Sequence, residues 1–412
     1  MARGEQVGVV SDPKNQSPLP YGRQSIDEDD IAAVVRVLRA DFLTQGPEVK
    51  RFEESLANAT GAKYAVAVAN GTAALHLACL AAGVRTGSVG ITSTITFVAS
   101  ANAIRYAGGT AKFADVDPDT GLMSMASLAE RIEETKKTGA TPKVIIPVDL
   151  TGSVADLAAV RAQANAIGAM VIEDAAHSLG GTYEVSGTRF NAASCTHSDM
   201  AILSFHPVKT VTTGEGGAIT TNDDALYREL CDLRTHGITK DPARLSRTDG
   251  PFYHQQQTLG FNYRITDMQC ALGVSQMRKL DRFVARRREI ASLYDKAFLP
   301  LASKVTPLRV PAGGNSARHL YVIRLVAKPG ETLAALTERR KSLFIGLAEQ
   351  KIFGQVHYIP VHTQPDFRNN GMGTESLPGA EAYYASCISL PMFPAMADGD
   401  VQRVVDAVGG IV

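Results

Sequence analysis

Lys209 stands in SFHPVKTVTTGEGG, between a run that reads as a strand and a cluster of glycines. A lysine held against low-dielectric walls loses its proton more readily than one in water, and its free amine can form an imine with an aldehyde. The alternative for a lone lysine is a solvated charge. Three other stretches place comparable groups where strands end. In VAVANGTAALHLA, Gly71 and Thr72 open a helix, whose free N–H groups and dipole suit an anion; Thr72 could equally be a plain N-cap. In VIEDAAH, Glu173 and Asp174 follow an apolar run, where a carboxylate either meets a cationic or N–H partner or caps the next turn. In ITFVASA, Phe97 at a strand-to-helix junction offers a face to a flat heteroaromatic ring, or packs into the core. An anion site, an aromatic platform, a carboxylate and an imine-capable lysine are the parts that pyridoxal 5'-phosphate (PLP) requires, with the carboxylate keeping the ring nitrogen protonated. Lys209 is then the Schiff-base lysine.

The elements that must position these groups alternate. YAVAVAN, VGITSTI, AKFADVD, KVIIPVDL, AMVIEDA, MAILSFH and GGAITTND read as strands, separated by helical runs such as GTAALHLACLAAG, FVASANAIRYAG and DLAAVRAQANAIG. This predicts an α/β fold, a mostly parallel sheet with helices on both faces and ligands beyond the carboxyl ends of its strands. GGTYEVSGTRF predicts a hairpin with a Ser-Gly turn. SIDEDDIAAVVRVLRA predicts a helix capped by Ser25 with Glu28, and the run from Asp267 through Phe298 a single long helix bridging to a smaller α+β unit. The domains expected are a tail over 1–19, a large domain over 20–275 and a small one over 276–412. On strand alternation, His206 points away from Phe205 and is expected to pack rather than to react.

With 412 residues the chain exceeds one ordinary core. Lys plus Arg and Asp plus Glu both number 42, so no net field favours nucleic acid or an anionic membrane. No apolar run approaches about 18 residues and the first residues lack signal-peptide order, which predicts a cytoplasmic protein. The five cysteines are scattered and never spaced C-x-x-C, which predicts reduced, packed thiols and no metal site.

NGTAALHLA, TFVASANAIRYAG, VIEDAAHSLGG, SFHPVKTVTTGEGGAITTND and LGFNYRITDMQCALGVSQ resemble the DegT/StrS-type sugar aminotransferases of fold type I. The resemblance extends from about Pro20 to the end of the chain. Within that family PYGRQSIDEDDIAAVV, LTQGP, HGITKDPARL, QVHYIPVH and ISLPMFP are most similar to the UDP-4-amino-4,6-dideoxy-N-acetyl-β-L-altrosamine transaminases of pseudaminic acid biosynthesis. The resemblance implies a seven-stranded large-domain sheet, PLP and its pyridoxamine form, a nucleotide-linked 4-keto-6-deoxy sugar and L-glutamate as substrates, a role in lipopolysaccharide or other surface glycans, and a homodimer with shared active sites.

Residue by residue, it implies that Lys209 holds the cofactor, Asp174 pairs with the ring nitrogen, Phe97 stacks on the ring and His177 lies near the phenolic oxygen. Gly71, Thr72 and Ser204 would hold the phosphate, and Asn262 would reach into the neighbouring subunit. Arg264 is left as an anion partner or a structural ion pair, and His357, Tyr358 and His362 as groups closing over the sugar. Lys209 argues against the sister dehydrases, which carry histidine there, and with Asp174 it argues against a non-catalytic sensor. No G-x-G-x-x-G follows the first strand, as a nicotinamide enzyme would need. ANGTAALH departs from the Ser-Ala-Thr more frequent in the altrosamine enzymes, which keeps open a GDP-linked precursor of perosamine or a keto sugar that is not nucleotide-linked.

Overall fold

The computed structural model describes residues 17–412. Among the described residues nine strands lie between 17 and 221: β1 (Tyr64–Val68), β2 (Val89–Ser93), β3 (Thr110–Ala114), β4 (Pro142–Ile146), β5 (Met170–Asp174), β6 (Thr182–Val185), β7 (Thr188–Asn191), β8 (Met200–Ser204) and β9 (Gly217–Thr221). Seven of them form one sheet in the order β1-β9-β8-β5-β4-β2-β3. All its strands run the same way except β9, which pairs antiparallel with both β1 and β8. The carboxyl ends of β1, β2, β4, β5 and β8 therefore share one edge, and the loop bearing Lys209 turns back there from β8 into β9.

The near-continuous apolar strands follow from burial on both faces. Alternate residues enter different cores: Val66, Val68, Ile172 and Ile202 pack with the helix Gly71–Ala81, whereas Ala65, Ala67, Ala201 and Leu203 pack with Phe52, Leu56 and Phe283. A further core, with Ile290, Tyr294, Phe298, Tyr321, Ile323, Leu343 and Val404, gathers the C-terminal elements. These include a three-stranded sheet, Val305–Pro307, Tyr321–Leu325 and Cys387–Leu390. The hairpin β6–β7 turns at Ser186 and Gly187, both with positive φ (51° and 80°), as the Ser-Gly signal predicted.

Two expectations fail in detail. The run after Asp267 is two helices, Asp267–Met277 and Leu280–Phe298, interrupted at Lys279, whose ammonium is held by Asp27 and by buried Asp30 at 2.9 Å. The second helix nonetheless bridges the cores, giving Leu280, Phe283 and Val284 to one and Ile290, Tyr294 and Phe298 to the other. The first helix, Glu28–Leu38, is capped not by Ser25 but by Asp27, which accepts from the N–H groups of Asp29 and Asp30 while Asp30 accepts from that of Asp27. The expected tail over 1–19 lies outside the described residues up to residue 16. Leu19 is buried, its N–H donating to Lys351 O and its carbonyl accepting from Phe353 N, both at 2.9 Å.

Candidate active site

A cavity of about 960 Å³ opens at the shared strand edge, lined by Gly71, Thr72, Phe97, Asp174, His177, Ser204, Lys209, His357 and Tyr358 among others. Its anion end is the start of the helix Gly71–Ala81. Asn70, not Thr72, is the N-cap there, accepting from Ala73 N at 2.8 Å. Thr72 is thus spared the capping role, and among the described residues no hydrogen bond engages its hydroxyl or the N–H of Gly71. Two glycines make the cradle close. A Cβ on Gly71 would lie 3.1 Å from Ser204 Cβ, and one on Gly217 would lie 2.4 Å from the carbonyl atoms of Asn70. Gly217→Ala must therefore push the helix start away from Ser204. The expected outcome is a cofactor Kd raised by roughly ten-fold or more, read by titrating the cofactor-free protein, with circular dichroism confirming the fold.

Asp174 closes β5 and is buried, its Oδ2 accepting from Ser100 Oγ at 2.6 Å and its Oδ1 from Ala176 N at 3.2 Å. Ser100 in turn contacts Thr96 Oγ1 at 2.7 Å. Burial lifts the Asp174 carboxyl above the ordinary carboxylate range, opposed by these donors and by the Lys209 charge. A positively charged ring N–H facing Asp174 would complete that compensation. Glu173 points to the opposite side of the strand and meets Ala193 N at 2.9 Å instead. Lys209 makes no ion pair among the described residues; burial pulls its amine down to about 8, with Asp174 opposing. Phe97 is 60% exposed, its ring 6.3 Å from that of Tyr358. An unpaired lysine, an undercompensated carboxylate, an uncovered aromatic face and a free helix N-terminus fit PLP.

His177 is buried, with Nε2 3.2 Å from the Tyr358 hydroxyl and Nδ1 without a partner among the described residues. Burial, then the neighbouring Lys209 and His357, push its imidazole well below the ordinary histidine range. His357 also lines the cavity, its Nδ1 2.8 Å from Ser389 Oγ, and burial pushes it down to about 3. His362 does not join them. It is buried outside the cavity lining, with Nδ1 2.7 Å from Thr94 Oγ1 and its carbonyl taken by Arg368, so the sugar-contact expectation is corrected to a structural tie. His206 is the reverse case: β8 ends at Ser204, the alternation argument no longer applies, and the imidazole is exposed on the cavity wall.

Asn262 is exposed outside this cavity, bridging to Thr235. Arg264 has no hydrogen bond or ion pair among the described residues. Sequence reasoning missed Ser100, His319 and Tyr21. Ser100 had a signal, a hydroxyl in the first turn after Phe97. His319, 4.4 Å ring to ring from His177, precedes a strand with nothing in its spacing to mark it. Among the described residues no cluster of histidine, cysteine or carboxylates is placed to hold a metal, and no helix is long and apolar enough to cross a membrane.

Comparison with known proteins agrees with this chemistry. Residues 24–409 match the model of the DegT/DnrJ/EryC1/StrS aminotransferase family. The spore coat polysaccharide biosynthesis protein SpsC of Bacillus subtilis is 36% identical over 396 residues, 96% of this chain and 97% of the relative. Among solved structures, PseC of Helicobacter pylori, an aminotransferase of pseudaminic acid biosynthesis, superposes with a TM-score of 0.85 at 28% identity, covering 96% of this chain and 99% of the other. The sugar aminotransferase Spr1654 of Streptococcus pneumoniae, described as putative and solved with PLP, matches with a TM-score of 0.83 at 28% identity over 96% of this chain and 100% of the other. It has also been solved in its pyridoxamine phosphate form. On this likeness and the geometry of Lys209 and Asp174, the chain belongs to the DegT/DnrJ/EryC1/StrS aminotransferase family and is a PLP-dependent enzyme of fold type I.

Proposed function

We propose that the enzyme moves the amino group of L-glutamate to the 4-keto carbon of a UDP-linked 4-keto-6-deoxy sugar, in the cytoplasm, toward a pseudaminic-acid-type surface glycan. The observation that carries the transfer is Lys209, without an ion pair among the described residues, in one cavity with Asp174 and Phe97; burial pulls its amine down to about 8. The sugar rests on the likeness to PseC across nearly the whole chain. Bound PLP supplies an electron sink for the bond broken at the substrate carbon. Lys209 Nζ takes the proton from the donor's Cα and returns it on the other side of the exchange. With the cofactor bound, the Asp174 carboxylate would hold the proton on the ring nitrogen, His177 would lie near the phenolic oxygen, and Gly71, Thr72 and Ser204 would hold the phosphate. His357 and Tyr358 close over the sugar from the small domain, which we take as 276–412.

Among the described residues the lining of one chain includes a single lysine and no arginine, yet a phosphate, a diphosphate and a carboxylate must be neutralised. We assign the missing contacts to Asn262 and Arg264 of a second copy in a homodimer. SpsC, the more identical relative, acts in spore coat polysaccharide synthesis by its name, which favours a different nucleotide-linked sugar as the second reading. The test is 2-oxoglutarate release from glutamate with UDP-, GDP- and dTDP-linked 4-keto-6-deoxy sugars. Turnover with the UDP sugar at least about ten-fold above the others in kcat/KM supports the proposal; a preference for another nucleotide replaces it with the second reading.

A further inference from the structure

Behind Asp174 lies a second pair of acids that the transfer chemistry does not use. Asp149 follows β4 and Glu173 is the penultimate residue of β5; they are 0% and 1% exposed. Their carboxyls are hydrogen-bonded to each other. The other partners are neutral. Asp149 Oδ2 accepts from Ser178 Oγ at 2.6 Å and Oδ1 from Ala155 N at 2.9 Å, while Glu173 Oε1 accepts from Ala193 N at 2.9 Å and Oε2 from Ser198 Oγ at 3.4 Å. Among the described residues no lysine, arginine or histidine forms an ion pair with either acid. The other titratable groups around them are Asp174, Tyr183 and Cys195, and Tyr183 is itself tied to His197 Nδ1 at 2.8 Å.

Two carboxylates in contact, out of water and without a cation, cannot both ionise near neutral pH. Their positions in the chain are also telling. Glu173 directly precedes Asp174, Ser178 directly follows His177, and the Asp149 N–H donates to the Asp174 carbonyl at 3.0 Å. The pair thus meets the Asp174 backbone directly and the residue after His177 through the Ser178 hydroxyl.

We propose that Asp149 and Glu173 share one proton and act as positioning residues, locking the backbone at Asp174 and His177 and keeping one negative charge behind Asp174. The second half rests on the cofactor-site reading above; the first does not. Burial and the neighbouring acids place Asp149 well above the usual carboxylate range and Glu173 at about 7. Because the folded protein binds the proton more tightly than the unfolded chain, the stability this provides is complete at acidic pH and is lost as pH rises from about 4 through 7.

The experiment has two arms. In the cofactor-free protein, infrared difference spectra at pH 7 should show a carboxylic-acid carbonyl band that disappears in Glu173→Gln, whose amide can donate to Asp149 without a shared proton. The acid-side stability advantage of the wild type over that variant should shrink as pH rises from 5 to 8. No such band in the wild type would overturn the shared proton, and this holds even if no variant folds. In the loaded protein, the pH midpoint of the visible band of lysine-bound cofactor should fall by about half a unit or more in Asp149→Asn/Glu173→Gln, which removes the charge. In Glu173→Gln alone, which keeps the charge on Asp149, it should stay near the wild type. Equal midpoints in all three proteins would overturn the positioning role. Absence of any band in the loaded wild type would instead refute the cofactor-site reading, leaving the infrared arm to decide the pair.

Discussion

Lys209→Ala abolishes amino transfer, with kcat reduced by roughly 10⁴-fold or more, because it removes both the covalent anchor of the cofactor and the base that moves the Cα proton. The fold should persist, since Lys209 makes no ion pair among the described residues and its loop is held by other residues: Phe205 N donates to Gly216 O at 2.9 Å and Thr213 N to Phe205 O at 3.0 Å. The wild type should show a visible band of lysine-bound cofactor that glutamate converts to the pyridoxamine form, and the variant no such band with pyridoxal phosphate alone. Amino transfer by the variant at near wild-type rate would refute the assignment. The same residue predicts a pH dependence. With its amine at about 8 rather than 10.5, about one molecule in ten carries the neutral, nucleophilic form at pH 7, against roughly one in three thousand for an ordinary lysine. Capture of pyridoxal phosphate by the cofactor-free protein should therefore speed up about ten-fold per pH unit below 8 and level off above it, as stopped-flow absorbance would show.

Lys209 and Asp174 were readable from sequence because each follows an apolar strand and parallel α/β sheets put such strand ends on one edge. The hairpin was readable because Ser-Gly at its turn has a backbone consequence, two positive φ angles. What sequence reading missed depended on contacts distant in the chain. Nothing in MRKL marks a helix break, which coincides with the hold of Asp27 and Asp30 on Lys279 from some 250 residues away. Three successive acids, Glu28 to Asp30, blurred the N-cap, and the box was built two residues later than the Ser-x-x-Glu spacing suggested. His357 and His362 share the irregular stretch QVHYIPVH, where no period separates a side chain facing the cavity from one tied to Thr94. His206 was misjudged by extending strand alternation past the last residue of β8.

Asp174→Asn tests the electronic half of the site without removing much of its architecture. Asparagine has the same shape, and its carbonyl oxygen can still accept from Ser100 Oγ or Ala176 N. What it loses is the negative charge that holds a proton on the ring nitrogen, and with it the ring's capacity to take up the electrons of the broken Cα–H bond. The expected result is kcat lower by about 10²–10⁴-fold with a much smaller change in KM, the pattern of an interaction made mainly in the transition state. Stability should not fall, because burial works against the charged form of Asp174 and the variant removes that charge. The decisive control is a pyridoxal phosphate carrying a methyl group on the ring nitrogen, whose permanent positive charge needs no proton. If Asp174 acts through that proton, the methylated cofactor restores a substantial part of the lost rate in the variant. A variant as slow with the methylated cofactor as with the natural one would mean that Asp174 serves to place Ser100 and the start of its helix, and that the ring charge is held by another group.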